Sequence, residues 1–474
     1  MQVQSMHFHS RSELKLQDER LQKNLRRLAD KFVSARAQAM TEIDFDATRD
    51  AAVERRNRAI HNLDVWLELF EKKATEKGAT VLFAESAAQA SEIVVSLAKR
   101  HDAKTVIKSK SMVSEEMALN EALQRAGVEP VETDLGEYIL QINDNEPPSH
   151  IIAPVIHKDK EEIADLFSQV HNKPRLDDIP ELAREARQQL RPKFLSADMG
   201  VTGGNFVIAE TGSVALVTNE GNEGMCTIMP KVHVVVTGIE KVLPTLEDFA
   251  TMARLLTRSA TGQSISNYVS LLTGVRAKGE PDGPDHLYFV LVDGGRSGLL
   301  GSEFEEMLRC IRCGACMNHC PVYQKIGGHA YGWVYPGPMG AVLTPSYAGL
   351  ENSLDLPQAA TLCGECHVVC PVKIPLPDLL RKLRERQFDR HLRPWRERWA
   401  LWAWGFVAMR PHLYRLIFGL TNRALRIMAR GRGYIAFLPL GSGWSRFRDL
   451  PVPRGKNFAD RYALWKSSRP ETRS

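Results

Sequence analysis

The stretch "CIRCGACMNHCPVY", Cys310 to Tyr323, sets four cysteines within eleven residues and a proline directly after the fourth. This Cys-x2-Cys-x2-Cys-x3-Cys-Pro spacing wraps one [4Fe–4S] cube with three thiolates and sends the fourth to a neighbouring cube. A single tetrahedral zinc has no use for three thiolates so close together, and structural zinc sites take Cys-x2-Cys pairs separated by a longer loop. A second stretch, "CGECHVVCPV", supplies Cys363, Cys366, Cys370 and the following Pro371. Exchanging the fourth cysteines gives one cluster Cys310, Cys313, Cys316 and Cys370, and gives the other Cys320, Cys363 and Cys366. In the frame of the first motif the missing eighth ligand falls on Ala360. Water, His367, a partner's side chain or a substrate oxygen are candidates for that open iron, and oxygen donors suit iron acting as a Lewis acid. Two cubes in one small fold relay single electrons, at potentials set by hydrogen bonds, charge and burial. Arg312 and His319 sit between ligands, where they either add charge favouring the reduced state or stand as exposed polar residues on turns.

Other chemistry is more weakly signalled. Seven of the eight cysteines fall between 310 and 370, a clustering that points to metal rather than disulfides. Cys226 stands apart and is expected as a small buried apolar side chain. In "TVIKSKSMVSEE", Lys108, Lys110, Ser109, Ser111 and Ser114 lie at a strand-to-helix turn, which suits either an anion cradle or serine capping of the helix. Glu210 in "AETG" is a candidate nucleophile or base, set against a structural role at a strand end. His150 and His157 are a weak pair as metal ligands and are expected in packing or surface roles. No residue is assigned as catalytic.

The positioning elements follow from periodicity. Leu21, Leu25, Leu28, Phe32 and Ala39 form one stripe of a long amphipathic helix, expected as a docking arm. From about Ile60 to Asp293 strands alternate with helices, which implies a parallel, helix-covered sheet. Strands are expected at "ATVLFAES", "KTVIKSK", "HIIAPVI", "FVIAE", "SVALVT", "KVHVVVTGI" and "HLYFVLVD", and helices at "AAQASEIVVSLAKRH" and "EEMALNEALQRAG". "DGGRSGLLG" reads as a linker into a helical cysteine region. Four regions result: an N-terminal helical arm 1–59, an α/β domain 60–295, a two-cluster domain 296–390 and a basic tail 391–474.

With 474 residues, 43% hydrophobic and 25% charged, the chain is of globular composition and long enough for several domains. Its start carries no signal-peptide pattern, and no apolar run reaches the ~18 residues of a membrane span, so a cytoplasmic protein is expected. Residues 391–474 hold 17 Lys and Arg against 4 Asp and Glu; that +13, set against +5 for the chain, leaves the first 390 residues at −8. The tail also holds six of the eight tryptophans, and "RPWRERWALWAWGFVAMRPHLYRL" suits peripheral contact with a membrane or an acidic protein surface. Nucleic acid is not expected, since no binding motif accompanies the charge.

Taken together, "CIRCGACMNHCPVY", "GGHAYGWVYPGPMGAVLTP", "LCGECHVVCPVKIPLPDLL", "KSKSMVSEE", "ETDLGEYI" and "AETGSVALVTNEGN" resemble the lactate utilization protein B family, the iron–sulfur subunit of a bacterial L-lactate oxidation system. The resemblance runs over about residues 50–470. It implies a LUD domain, related in fold to the NagB/RpiA/CoA-transferase-like group, then an α-helical two-cluster ferredoxin-type domain and a helical basic tail. It also implies two partner proteins, one cysteine-rich and one a second LUD protein, and a seven-cysteine arrangement in which Ala360 is ordinary. The function it implies is electron transfer within a lactate-oxidising complex rather than stand-alone catalysis. The alternatives are a LUD-domain enzyme acting on a small carboxylate, with Glu210 or Lys108 taking part, and a scaffold with structural clusters. Composition and spacing say nothing of lactate; that expectation rests on the resemblance alone.

Overall fold

The computed structural model describes residues 3–438, 445, 448–455 and 457–468. It divides into two compact units, Met1–Leu392 and Arg393–Ser474.

The first unit is built on ten strands: β1 Thr80–Ala84, β2 Thr105–Lys108, β3 Glu129–Glu132, β4 Met199–Thr202, β5 Phe206–Ile208, β6 Ser213–Thr218, β7 Val232–Gly238, β8 Val242–Leu243, β9 Tyr268–Leu272 and β10 His286–Val292. Six make a sheet in the order β1-β10-β7-β4-β2-β3, parallel at every pairing. Its central strand β7, "VHVVVTG", is buried along its whole length, as a strand covered on both faces must be. The other four form a sheet in the order β8-β5-β6-β9, in which the two expected strands β5 and β6 pair as an antiparallel hairpin.

Helices start where side chains can accept the free N–H groups of a first turn. Asp18 caps Glu19–Met40, Asp44 caps Phe45–His61 and Ser86 caps Ala87–Arg100. Thr245 and Asp248 form a reciprocal box at Leu246–Thr261, which ends at Gly262 in the left-handed region at φ +73°.

Three expectations are corrected. "HIIAPVI" is a turn rather than a strand, because Nδ1 of His150 accepts from the N–H of Ile152 at 3.0 Å and of Ala153 at 3.1 Å, bending the chain back on itself. "EEMALNEALQRAG" is broken at Ala118, φ +51°, into Met112–Glu116 and Leu119–Arg125. "DGGRSGLLG" is no free linker: Arg296 is fully buried, bonded to Glu116 at 2.8 and 3.0 Å and to Glu240 at 2.8 Å. The short strands β3, β4, β8 and β9 went unforeseen, β3 because Pro130 hides it; on the sheet edge the missing N–H costs nothing.

After β10 come short helices around the cysteines, then Gly337–Ala348 and Leu376–Asp389. One apolar core runs through Leu21 and Leu25 of the first long helix, Phe206 and Leu243 of the smaller sheet, and Met307, Ile311, Tyr335 and Leu379 of the cysteine region. The N-terminal arm is thus packed into that core.

The second unit contains helices Trp395–Ala408, Pro411–Met428 and Phe458–Ser467. Trp395, Trp399, Trp402 and Trp404 are 57–68% exposed. Among the described residues no helix is long and apolar enough to cross a membrane.

Candidate metal centres and the cavity beside them

The two cysteine motifs fold the same way, fifty residues apart. Arg312 and Gly314 have φ of +57° and +77°, and Leu362 and Gly364 have +56° and +90°. Each loop then opens a one-turn helix, Ala315–Asn318 in the first and Glu365–Val368 in the second. Left-handed backbone at a non-glycine residue is disfavoured, so its recurrence marks a loop shaped for a purpose. In this internal repeat Ala360 occupies the place of Cys310, as the spacing predicted.

Cys310, Cys313, Cys316 and Cys370 line one small cavity, with Arg312, Met339 and Ile374. Cys320, Cys363 and Cys366 line another, with Ala360, Pro321 and Glu365. His367 does not line it and instead bonds the carbonyl of Ile374 through Nδ1 at 3.0 Å. Backbone N–H groups reach two of the sulfurs, Tyr323 to Cys320 at 3.5 Å and Ile374 to Cys370 at 3.4 Å. Burial, with neighbouring thiolates adding to it, pushes Cys313 and Cys366 up to about 12 and Cys370 up to about 11. A cationic centre would offset that cost and hold these sulfurs as thiolate ligands. Among the described residues no three cysteine sulfurs lie within 4.8 Å of one another. One tetrahedral zinc with ~2.3 Å bonds would hold its thiolates at roughly 3.8 Å. The wider spread and the donor set both fit a cube of iron and sulfide.

Arg384 holds the carbonyl of Ala360 at 2.9 Å, and five further cations grip the backbone of these loops. Arg36 donates to the carbonyl of Val369 at 2.9 Å, Arg49 to His367 at 3.2 Å, Arg56 to Leu308 at 2.7 Å and Arg309 to Val372 at 3.5 Å. Lys241 donates to the carbonyl of Cys310 at 2.8 Å. Three of the five come from the two N-terminal helices, Glu19–Met40 and Phe45–His61, across more than 250 residues of chain. Sequence reading missed all five except as ordinary charges, because no local pattern announces so distant a contact.

Lys108 is buried in an ion pair with Glu132 at 2.6 Å and a hydrogen bond to Asn120 at 2.6 Å, which makes it structural. Ser111 caps Met112–Glu116, and Ser114 donates to the carbonyl of Ser111. Glu210 accepts the N–H of Leu246 at 2.9 Å at the start of Leu246–Thr261, the structural role. His150 is buried against Asn318, Nε2 to Oδ1 2.9 Å. His157 turns away from it, to Glu146 at 3.0 Å and a ring contact with His329. His319 contacts the carbonyl of Ala315 at 2.9 Å. Cys226 is buried at Thr133, as expected of a small apolar side chain.

Ser109, Lys110 and Ser111 open instead onto a cavity of about 610 Å³. Gly203 to Asn205, Thr237, Glu240 and Lys241 extend its wall past the carboxyl ends of β4 and β7, and Ile311, Arg312 and Tyr335 close it on the cysteine side. Ligands of open α/β sheets bind at the carboxyl ends of the strands. At one end Lys110 faces Asp134 at 3.5 Å, near Glu220 and Glu223, and burial raises the Glu223 carboxyl to about 7. At the other end Arg312 lies over the Tyr335 ring at 4.6 Å, with Glu240 at 3.6 Å. Burial draws the Lys241 ammonium down to about 7, while Glu240 opposes the shift.

Residues 67–292 match the LUD domain family and residues 306–374 the 4Fe-4S dicluster domain family. The chain is 42% identical to lactate utilization protein B of Bacillus licheniformis over 97% of both chains. It is 41% identical to lactate utilization protein B of Lysinibacillus sphaericus, again over 97% of both.

Proposed function

The chain belongs to the lactate utilization protein B family, and from that premise we propose that it is the electron-transfer subunit of a system oxidising L-lactate to pyruvate. An iron–sulfur role in lactate utilization follows from the family and from the 4Fe-4S domain it carries. The finer reading is that Cys310, Cys313, Cys316 and Cys370 hold one [4Fe–4S] cluster and Cys320, Cys363 and Cys366 a second. The observation that carries it is the sorting of seven cysteines into two cavities that interleave the two motifs. A bound cube takes up and returns one electron at a time, so two of them match the two electrons released per lactate.

The chain's own residues support a direction of flow. The loop Cys310–Cys316 is largely buried and borders the large cavity, whereas Leu362, Cys363, Glu365 and Val368 of the second loop are exposed. With clusters bound, Cys310, Cys313, Cys316 and Cys370 would hold the centre nearer the cavity and Cys320, Cys363 and Cys366 the centre a partner could reach, which favours entry at the first and exit at the second. The family's designation as one lettered protein implies a system of several; a cysteine-rich subunit and a second LUD protein are the proposed partners. A cytoplasmic setting with peripheral contact through residues 391–474 completes the proposal, over the regions 1–59, 60–295 and 296–390.

The test is iron, sulfide and electron paramagnetic resonance on the anaerobically purified chain and on Cys370→Ser. The reading expects about eight irons in the parent chain. It also expects Cys370→Ser to lose the signal that Cys310→Ser loses and to keep the one that Cys363→Ser loses. Stoichiometric zinc, or loss of the same signal in Cys370→Ser and Cys363→Ser, contradicts it. A second reading, in which the LUD domain itself acts on a small carboxylate, draws support from the large cavity, though neither Glu210 nor Lys108 lines it.

A further inference from the structure

We propose that the cysteine-side end of the large cavity binds the carboxylate of a small 2-hydroxy or 2-oxo acid, with Arg312 and Lys241 as its cationic partners. The inference rests on the reading above in placing that ligand beside the first cluster.

Charge is divided along the cavity. The end bearing Lys110 also bears Asp134, Glu220 and Glu223, whereas the end bearing Arg312 and Lys241 has Glu240 alone, and Glu240 is already paired with Arg296. A carboxylate is therefore drawn to the cysteine side.

Donor capacity is unspent there. Among the described residues Arg312 donates to the thioether Sδ of Met339 at 3.2 Å, a weak acceptor, and its nearest carboxylate stands at 3.6 Å. Arg296 and Arg56, by contrast, spend their guanidinium groups on oxygen acceptors at 3.1 Å or less. Lys241 uses one N–H on the carbonyl of Cys310 and has two more. A carboxylate bridging the two would gain charge-assisted hydrogen bonds from both.

Val236, Leu256, Ala260 and Ile311 add apolar wall to the cavity, beside the polar Asn205, Thr237 and Thr257. Such walls suit the alkyl group of a 2-hydroxy acid. At about 610 Å³ the cavity far exceeds a three-carbon acid, so selection falls on the carboxylate and longer 2-hydroxy acids should enter too. The open position of the second cluster is a poorer home for the same ligand. Its cavity is lined by Pro321, Pro338, Leu362, Pro377 and Leu380, and the only charge on it is the anionic Glu365.

The experiment titrates pyruvate, L-lactate, 2-hydroxybutyrate and the neutral lactamide into the anaerobic full-length chain by calorimetry, after iron has been assayed. Iron content tests the cluster reading separately from binding. The expected result is saturable binding of all three acids and none of lactamide, with affinity at least tenfold weaker in Lys241→Gln. Ala260→Leu, which fills the cavity from helix Leu246–Thr261, should weaken it as much while iron is retained. Pyruvate should also alter the resonance of the cluster that Cys310→Ser lacks. Iron-replete protein that binds no carboxylate, binds lactamide equally, or keeps full affinity in Ala260→Leu overturns the proposal.

Discussion

Ala360 is half-buried, and its carbonyl accepts from Arg384 at 2.9 Å, so the second loop is held in the shape of the first even without the fourth sulfur. A cube bound there by three cysteines should lose its unligated iron readily, and a sulfur at position 360 should stop that. Ala360→Cys is therefore expected to cut the three-iron resonance produced by mild oxidation several-fold; an undiminished signal would mean that another group already fills the position. At this scale the sequence was informative wherever function depends on local spacing. Cysteine intervals alone anticipated which sulfurs share a cavity. Arg312 was noticed because it stands between ligands, but its open donors toward the cavity come from Tyr335, Met339 and Glu240, none of them near it in the chain.

The N-terminal helices act as a carrier of positive charge. Arg36 and Arg56 reach backbone beside the first centre, at Val369 and Leu308, and Arg49 reaches His367 of the second loop, from helices that Leu21 and Leu25, and Ala52 and Ile60, anchor in the core. A unit charge removed at ~10 Å changes the energy of an added electron by about 1.7 kcal/mol at an effective dielectric near 20, or several tens of millivolts. Arg36→Gln should thus shift the first cluster's potential negative by that order and leave the second's almost unmoved; equal shifts in both would show a general structural effect. Within the sheet, His233 on β7 is buried against Thr202 at 2.9 Å, and burial lowers it to about 3. The folded protein holds it neutral, so the unfolded chain takes up the proton first on acidification. Its stabilisation is complete above the ordinary imidazole range near 6.5 and is lost at about 1.4 kcal/mol per pH unit as pH falls from there toward 3. Urea midpoints at pH 7.5 and 5.5 should fall less in His233→Gln than in the parent chain, and an equal fall would contradict this. Alternation and apolar runs revealed the long buried strands. They could not reveal β3, with its proline, or the turn at "HIIAPVI", where a histidine side chain outcompetes the sheet for backbone N–H groups.

Taken whole, the first unit joins a LUD sheet to a cysteine region through one core, with the large cavity where the two meet. Composition sets residues 391–474 apart, and between the LUD and dicluster matches the buried Arg296 pairs with Glu116 and Glu240 and lies over the Tyr347 ring. The exposed tryptophans and +13 charge of the tail predict that a chain ending at residue 392 keeps its clusters and loses most of its sedimentation with anionic lipid vesicles at low salt. Equal sedimentation of both forms would remove the tail from that role. The central claim is a relay through two unequal [4Fe–4S] centres, and an anaerobic potentiometric titration of the full-length chain, followed by electron paramagnetic resonance, tests it most directly. Two reversible one-electron reductions at distinct potentials are expected, with mutually broadened signals at full reduction. Iron-replete protein that gives a single one-electron step, or none, would contradict it.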